Sequence, residues 1–176
     1  MVCYRYLATE SIPLIYLSRN PFFVLVSRAK HRAHPDLPAH CYPGEHEAKC
    51  LESFANATFE MQTGSSLTAE IQTQVKRRDW ELELMANLSI PHIYVTFESL
   101  FVLPGQINVW RRMLNFVQPQ RADVWATTTL DDVHNSLGTT STSAHVPLSE
   151  QILNYDDVIK TMEGSQFAYL LNASAS

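Results

Sequence analysis

The sequence predicts an α/β fold in which a parallel sheet is flanked by helices. Three observations carry this expectation. Leu14-Ile-Tyr-Leu17 is a short continuous apolar run, the pattern of a strand buried on both faces of a parallel sheet. Ile93-Tyr-Val-Thr-Phe97 is a second such run, rich in β-branched and aromatic residues. Between them, Leu67, Ile71, Val75, Arg78, Leu82 and Met85 recur at helical spacing, which gives a long helix over residues 67–87 with one largely apolar face. Strand, helix and strand in that order is the signature of an α/β layered fold.

The remaining elements follow in order. Residues 2–7, an apolar and aromatic stretch, read as a short strand or strand end, and Thr9-Glu-Ser-Ile-Pro13 as a turn. After Leu17, Asn20-Pro21 marks a helix start, because Asn is a favoured N-cap and Pro a favoured first helical residue. That helix runs to about residue 32, where Arg28, Lys30, His31 and Arg32 suit a helix C-terminus. Pro35, Pro38, Pro43 and Gly44 make residues 33–47 a loop, and residues 45–54 a short helix. Thr58-Phe-Glu-Met61 alternates like a strand. Pro91 stops the long helix, and Pro104-Gly105 turns the chain into an amphipathic helix over 106–116 with Ile107, Trp110, Met113 and Leu114 inward. Residues 121–143 lack a clear period; residues 148–162 form one last helical segment, capped by Gly164, and residues 167–171 close the domain.

At 176 residues the chain is long enough for one domain with a buried core, and its hydrophobic (45%) and charged (18%) fractions are those of a globular protein. A net charge of -5 argues against broad nucleic-acid binding, which needs a positive face, but leaves room for one small anion. No apolar run reaches the roughly 18 residues of a membrane span. The start, Met1-Val-Cys-Tyr-Arg-Tyr-Leu7, has no signal-peptide pattern and opens at once on an apolar segment, so we expect an N-terminally truncated domain over 1–176.

Cys41 and Cys50 enclose a short loop and are able to pair in an oxidising compartment, which leaves Cys3 over. Asn56-Ala-Thr58, Asn87-Leu-Ser89 and Asn172-Ala-Ser174 are N-glycosylation sequons, which matter only in the secretory pathway. His31, His34, His40 and His46 lie near Cys41 and Cys50, but no Cys-x-x-Cys pair accompanies them, and no metal is expected. Lys76-Arg-Arg78 reads as a solvated helix face, and Trp80, Trp110 and Trp125 as packing residues. Glu98 reads as a strand-end carboxylate bonded to backbone N–H groups.

The stretch from Leu14 to Ser27 carries the chemistry. In open α/β sheets, ligands sit beyond the carboxyl ends of the strands, and helix N-termini attract phosphate. Arg19 stands at that position, between the end of a strand and the start of a helix. The segment Arg19-Asn20-Pro21-Phe-Phe-Val-Leu-Val-Ser27 resembles the 3′-phosphate-binding signature of P-loop sulfotransferases, Arg-(Asp/Asn)-Pro with a Ser eight residues after the Arg. The resemblance implies that Arg19 and Ser27 bind the 3′-phosphate of 3′-phosphoadenosine 5′-phosphosulfate, Arg19 through planar charged donors and Ser27 through a hydroxyl. Tyr94-Val-Thr-Phe-Glu-Ser-Leu100, residues 106–117, Asn154-Tyr-Asp-Asp-Val-Ile-Lys160 and Gly164-Ser-Gln-Phe167 resemble later segments of carbohydrate-type and related bacterial and algal members, and are less specific.

The family resemblance implies a partial P-loop-type three-layer fold, a sulfuryl transfer to a hydroxyl acceptor on a carbohydrate, and a nucleotide co-substrate. Acceptor contacts would fall on residues 33–47 and 121–144. The family's 5′-phosphosulfate loop, a Pro-x-x-Gly-Thr/Ser-Thr-like sequence, has no counterpart: the five glycines are Gly44, Gly64, Gly105, Gly138 and Gly164. Before Arg19 the sole acid is Glu10 and there is no His to act as base, so the catalytic residues are unassigned. A second reading is therefore a non-catalytic fragment or remnant that keeps only the 3′-phosphate half of the donor site, and a third is a disulfide-bonded lumenal interaction module. Golgi lumen and cytoplasm both stay open as locations.

Overall fold

The computed structural model describes residues 2–37, 47–101, 105–137 and 147–172. Its elements, in chain order, are α1 (Val2–Thr9), β1 (Leu14–Ser18), α2 (Pro21–Ala33), α3 (Glu47–Asn56), α4 (Gly64–Asn87), β2 (His92–Thr96), α5 (Phe97–Phe101), α6 (Gln106–Val117), a 3-10 turn (Pro119–Arg121), α7 (Ala122–Thr127), α8 (Leu130–Leu137), α9 (Leu148–Gln151), α10 (Tyr155–Glu163) and α11 (Tyr169–Asn172). The fold is mixed α/β and mostly helical, with one two-stranded parallel sheet among the described residues. The chain divides into two compact units, residues 1–20 with 73–136 and 175–176, and residues 21–72 with 137–174.

The first unit holds the sheet. β1 and β2 pair in parallel from Leu14 opposite His92 to Ser18 opposite Thr96. Strand alternation places Ile15 and Ile93 on one face, where they pack against a buried cluster of Val95, Leu100, Trp110 and Val133. Ile107, Met113 and Leu130 complete that cluster, so the apolar stripe of α6 faces the sheet as the spacing requires. Trp110 is 8% exposed and donates its indole N–H to the Leu100 carbonyl at 3.2 Å, which satisfies the one polar atom of a core aromatic. On the opposite face Tyr16 and Tyr94 stack with ring centroids 6.0 Å apart.

The second unit gathers Phe22, Leu25 and Val26 of α2, Leu67 and Ile71 of α4, and Val158 and Met162 of α10 as buried side chains. Among its described residues Phe59 and Ile152 form a parallel bridge: the Phe59 N–H donates to the Gln151 carbonyl and the Leu153 N–H to the Phe59 carbonyl, both at 2.9 Å. Next to it, the Asn154 side chain clamps one backbone residue. Its Oδ1 accepts from the Met61 N–H at 3.0 Å, and its Nδ2 donates to the Met61 carbonyl at 2.8 Å.

Several expectations are corrected. Residues 2–9 are helix, not strand: Thr9 Oγ1 donates to the Arg5 carbonyl, Glu10 N–H to that of Tyr6, and Ser11 then ends the helix in a left-handed conformation (φ 51°). A run this short has no period long enough to separate helix from strand. Leu17 is 54% exposed, so β1 is not covered on both faces at its carboxyl end. Residues 58–61 supply only the Phe59 bridge. The segment 148–162 is two helices, because Ile152 leaves the helical path to pair with Phe59. Of residues 121–143, which lack a clear period, the described part up to residue 137 holds α7 and α8, separated by Thr128 and Thr129, and the rest lies outside the described residues. Trp80 does not pack inward; it is 56% exposed. Helices α2, α4 and α6 stand where the sequence places them.

Candidate functional site

Parallel pairing makes the chain leave both strands at the same end of the sheet. Ser18 closes β1 beside Thr96, which closes β2, and the next residues are Arg19-Asn20 on one side and Phe97-Glu98 on the other. After β2 the chain turns at once into α5. Thr96 fixes that turn: its Oγ1 accepts from the Ser99 N–H at 3.2 Å, and its carbonyl accepts from Ser99 Oγ at 2.7 Å.

Glu98 is 6% exposed, and its Oε1 accepts from the Asn20 backbone N–H at 2.9 Å. Asn20 is itself 7% exposed. A carboxylate on a backbone N–H is a charge-assisted hydrogen bond, stronger than a neutral one, and here it joins the first turn of α5 to the segment that follows β1, 78 residues apart in the chain. The expectation that Glu98 serves backbone N–H groups at the end of the second strand is met.

Arg19 is exposed, with its guanidinium carbon 5.0 Å from the centroid of the Phe97 ring. A planar, permanently charged group resting on an aromatic face keeps its N–H edges free for an anion in solvent. So the first unit places one cation beyond the carboxyl ends of two parallel strands, where ligands of α/β proteins sit. Ser27 belongs to the second unit, as a half-buried residue within α2. The two residues of the Arg-Asn-Pro signature thus fall in different units.

Several arrangements have no signal in the local sequence. In the first unit, the Tyr16 hydroxyl donates to Glu81 Oε2 at 2.5 Å, and Arg77 Nε donates to Glu81 Oε1 at 3.1 Å. Burial, and then the hydrogen bond and negative charge of Glu81, hold the Tyr16 hydroxyl well above the usual tyrosine range. At neutral pH it is a fixed proton donor. The pairing joins a strand to a helix 65 residues away and has no local spacing to announce it. In the second unit, a cleft of about 320 Å³ is lined by Leu25, Ala29, Arg32, Met61, Leu67 and Glu70, with Arg32 and Glu70 paired at 3.8 Å across it. Elsewhere in that unit Lys30 donates to Gln151 Oε1 at 2.6 Å, and burial lowers its ammonium from the usual lysine range.

The other candidates resolve as follows. His34 follows the end of α2, and its Nε2 lies 2.7 Å from the Thr58 carbonyl, so the His31-x-x-His34 pair does not share a helical face. Among the described residues no group of three His, Cys, Asp or Glu side chains is placed to hold a metal ion. His40, Cys41 and His46 lie outside the described residues. Cys50 is disulfide-bonded; its expected partner, Cys41, lies outside them too. Arg77 and Arg78 pair with Glu81 and Asp79 on the surface of α4. Among the described residues no helix is long and apolar enough to cross a membrane.

The chain matches no protein-family model, no curated protein and no solved structure.

Proposed function

We propose that this chain is a sulfotransferase-family protein whose Arg19 binds the 3′-phosphate of 3′-phosphoadenosine 5′-phosphosulfate, with Ser27 as the second donor. The observation that carries the reading is the place of Arg19: an exposed guanidinium beyond the carboxyl ends of two parallel strands, directly ahead of the helix that opens at Pro21. The wider P-loop-type three-layer architecture is part of the same proposal, and the parallel β1–β2 pair with α4 between its strands in the chain is compatible with it.

The chemistry asked of these residues is modest. Arg19 presents two parallel N–H donors to a phosphate, Ser27 adds a hydroxyl, and the buried Glu98 carboxylate holds the Asn20 backbone that carries Arg19. Sulfuryl transfer needs, in addition, donors for the 5′-phosphosulfate and a base for the acceptor hydroxyl.

Titration calorimetry with adenosine 3′,5′-bisphosphate, and with adenosine 5′-monophosphate as the control lacking the 3′-phosphate, tests the reading. A hydrogen bond to a charged group contributes about 1.5–3 kcal/mol, so Arg19→Ala weakens bisphosphate binding by about 10- to 100-fold and leaves the monophosphate nearly unchanged. Absence of heat with the parent chain, or equal binding of both nucleotides, overturns it.

A further inference from the structure

Two sequons lie at helix ends with their acceptor residues in solvent. Asn87 is the last residue of α4 and is exposed. The chain behind it turns sharply: the Leu88, Ser89 and Ile90 N–H groups donate to the carbonyls of Leu84, Ala86 and Met85, and Ser89 adopts a left-handed conformation (φ 53°). Ile90, at 3% exposure, anchors the turn, while Ser89 is exposed. Asn56 ends α3 in the same manner: it is exposed, Ala57 is 6% exposed beneath it, and Thr58 is exposed. Each triplet therefore pins its apolar residue or its successor inward and leaves both the asparagine and the hydroxyl residue accessible.

An independent observation concerns the compartment. Cys50 is disulfide-bonded, six residues from Asn56 in the chain. Disulfides persist in oxidising compartments and are rare where thiols are kept reduced. The same compartments hold the machinery that glycosylates Asn-x-Ser/Thr.

We propose that Asn87 is an N-glycosylation site, with Asn56 a second one, and that the chain folds in an oxidising lumen. In the transfer, the Asn87 side-chain nitrogen bonds to the anomeric carbon of an oligosaccharide carried on a polyprenyl diphosphate. The carbon–oxygen bond to the diphosphate breaks, the polyprenyl diphosphate leaves with the electron pair, and the amide gives up one proton. Nothing is oxidised or reduced. A glycan at Asn87 extends from the end of α4 into solvent. This assignment does not depend on the donor site.

The test uses protein purified from the cells that make it, with thiols blocked before lysis. Tryptic peptides that follow Lys49 and Arg78 separate Asn56 from Asn87. The expected result is that the Asn87 peptide appears free of glycan only after peptide-N-glycosidase digestion in heavy-oxygen water, with label-bearing aspartate in place of Asn87 and a mass above that of the bare peptide, and that Cys50 takes alkylating reagent only after reduction. Ser89→Ala abolishes the modification, whereas Ser89→Thr, which keeps the hydroxyl, retains it. A bare Asn87 peptide at full abundance before digestion overturns the proposal, whatever the state of Cys50, and so does modification that survives Ser89→Ala.

Discussion

The Glu98 carboxylate accepts the Asn20 backbone N–H at 2.9 Å, so a side chain that follows the second strand fixes the main chain that follows the first. Arg19 sits one residue before that bond, and its guanidinium rests on Phe97, one residue before Glu98. The segment that follows β1 and the first turn of α5 therefore hold each other through one charged hydrogen bond and one cation–aromatic contact. If the bond is lost, a buried N–H is left without its acceptor and the guanidinium loses its platform's register.

Glu98→Ala should lower stability by about 1–3 kcal/mol, the cost of a buried donor left unpaired. Glu98→Gln keeps an acceptor oxygen and should recover most of that loss. Urea unfolding of the three proteins measures both. Under the donor-site reading, Glu98→Ala should also weaken adenosine 3′,5′-bisphosphate binding, while Glu98→Gln binds nearly as the parent does. Equal stability of all three would show that the bond contributes nothing.

Tyr16 sets an alkaline limit. Its hydroxyl is held above the ordinary tyrosine value of about 10 by burial and by Glu81. The folded state therefore keeps a proton that the unfolded chain releases. The corresponding stability is fully present below pH of about 10 and is lost as the pH rises above it towards the folded value. Tyr16→Phe should remove that loss and flatten the fall of the unfolding midpoint above pH of about 10. At neutral pH, the solvent-screened hydrogen bond itself should be worth about 1 kcal/mol. Absorbance titration of the phenolate band should show one tyrosine fewer ionising late in the variant; an unchanged titration would sink the assignment.

Asn154 holds Met61 through both its amide oxygen and its amide nitrogen. Asn154→Ala leaves a backbone N–H and a backbone carbonyl without these partners and should destabilise the chain by about 2 kcal/mol, about 1 for each group, since both bonds are only partly buried. Asn154→Asp keeps the acceptor but loses the donor and should fall between. Hydrogen exchange at the Met61 amide should accelerate in both variants, more in the alanine one. Protection that stays the same in both would place the clamp elsewhere.

Periodicity announced the long helices. The stripe of Leu67, Ile71 and Met85 is buried in α4, and Ile107, Trp110 and Met113 of the inward residues named for 106–116 pack as expected, because a helix of several turns repeats its apolar face often enough to be read. The start of α2 was also legible, since Pro21 marks a first helical residue by its fixed backbone angle and missing donor. Glu98 was legible too, because a lone acid at the end of an apolar strand has few partners other than backbone N–H groups.

What escaped was decided by partners far away in the chain. Residues 2–9 carry strand-type composition but close their hydrogen bonds as a helix. Ile152 breaks a helical segment because Phe59, distant in sequence, offers it a backbone pair. Tyr16 bonds Glu81, and Asn154 clamps Met61, through contacts that no local spacing encodes. By itself, then, the sequence determined the α/β class, the long amphipathic helices, and the Arg19 signature at a strand end. Only the tertiary structure decided which strand lies beside which, which carboxylate holds the Arg19 loop, and which asparagines face solvent. The physical reason is that helices and caps are built from neighbours a few residues apart. Sheet pairing, buried hydrogen bonds and exposure depend on what the folded chain brings alongside.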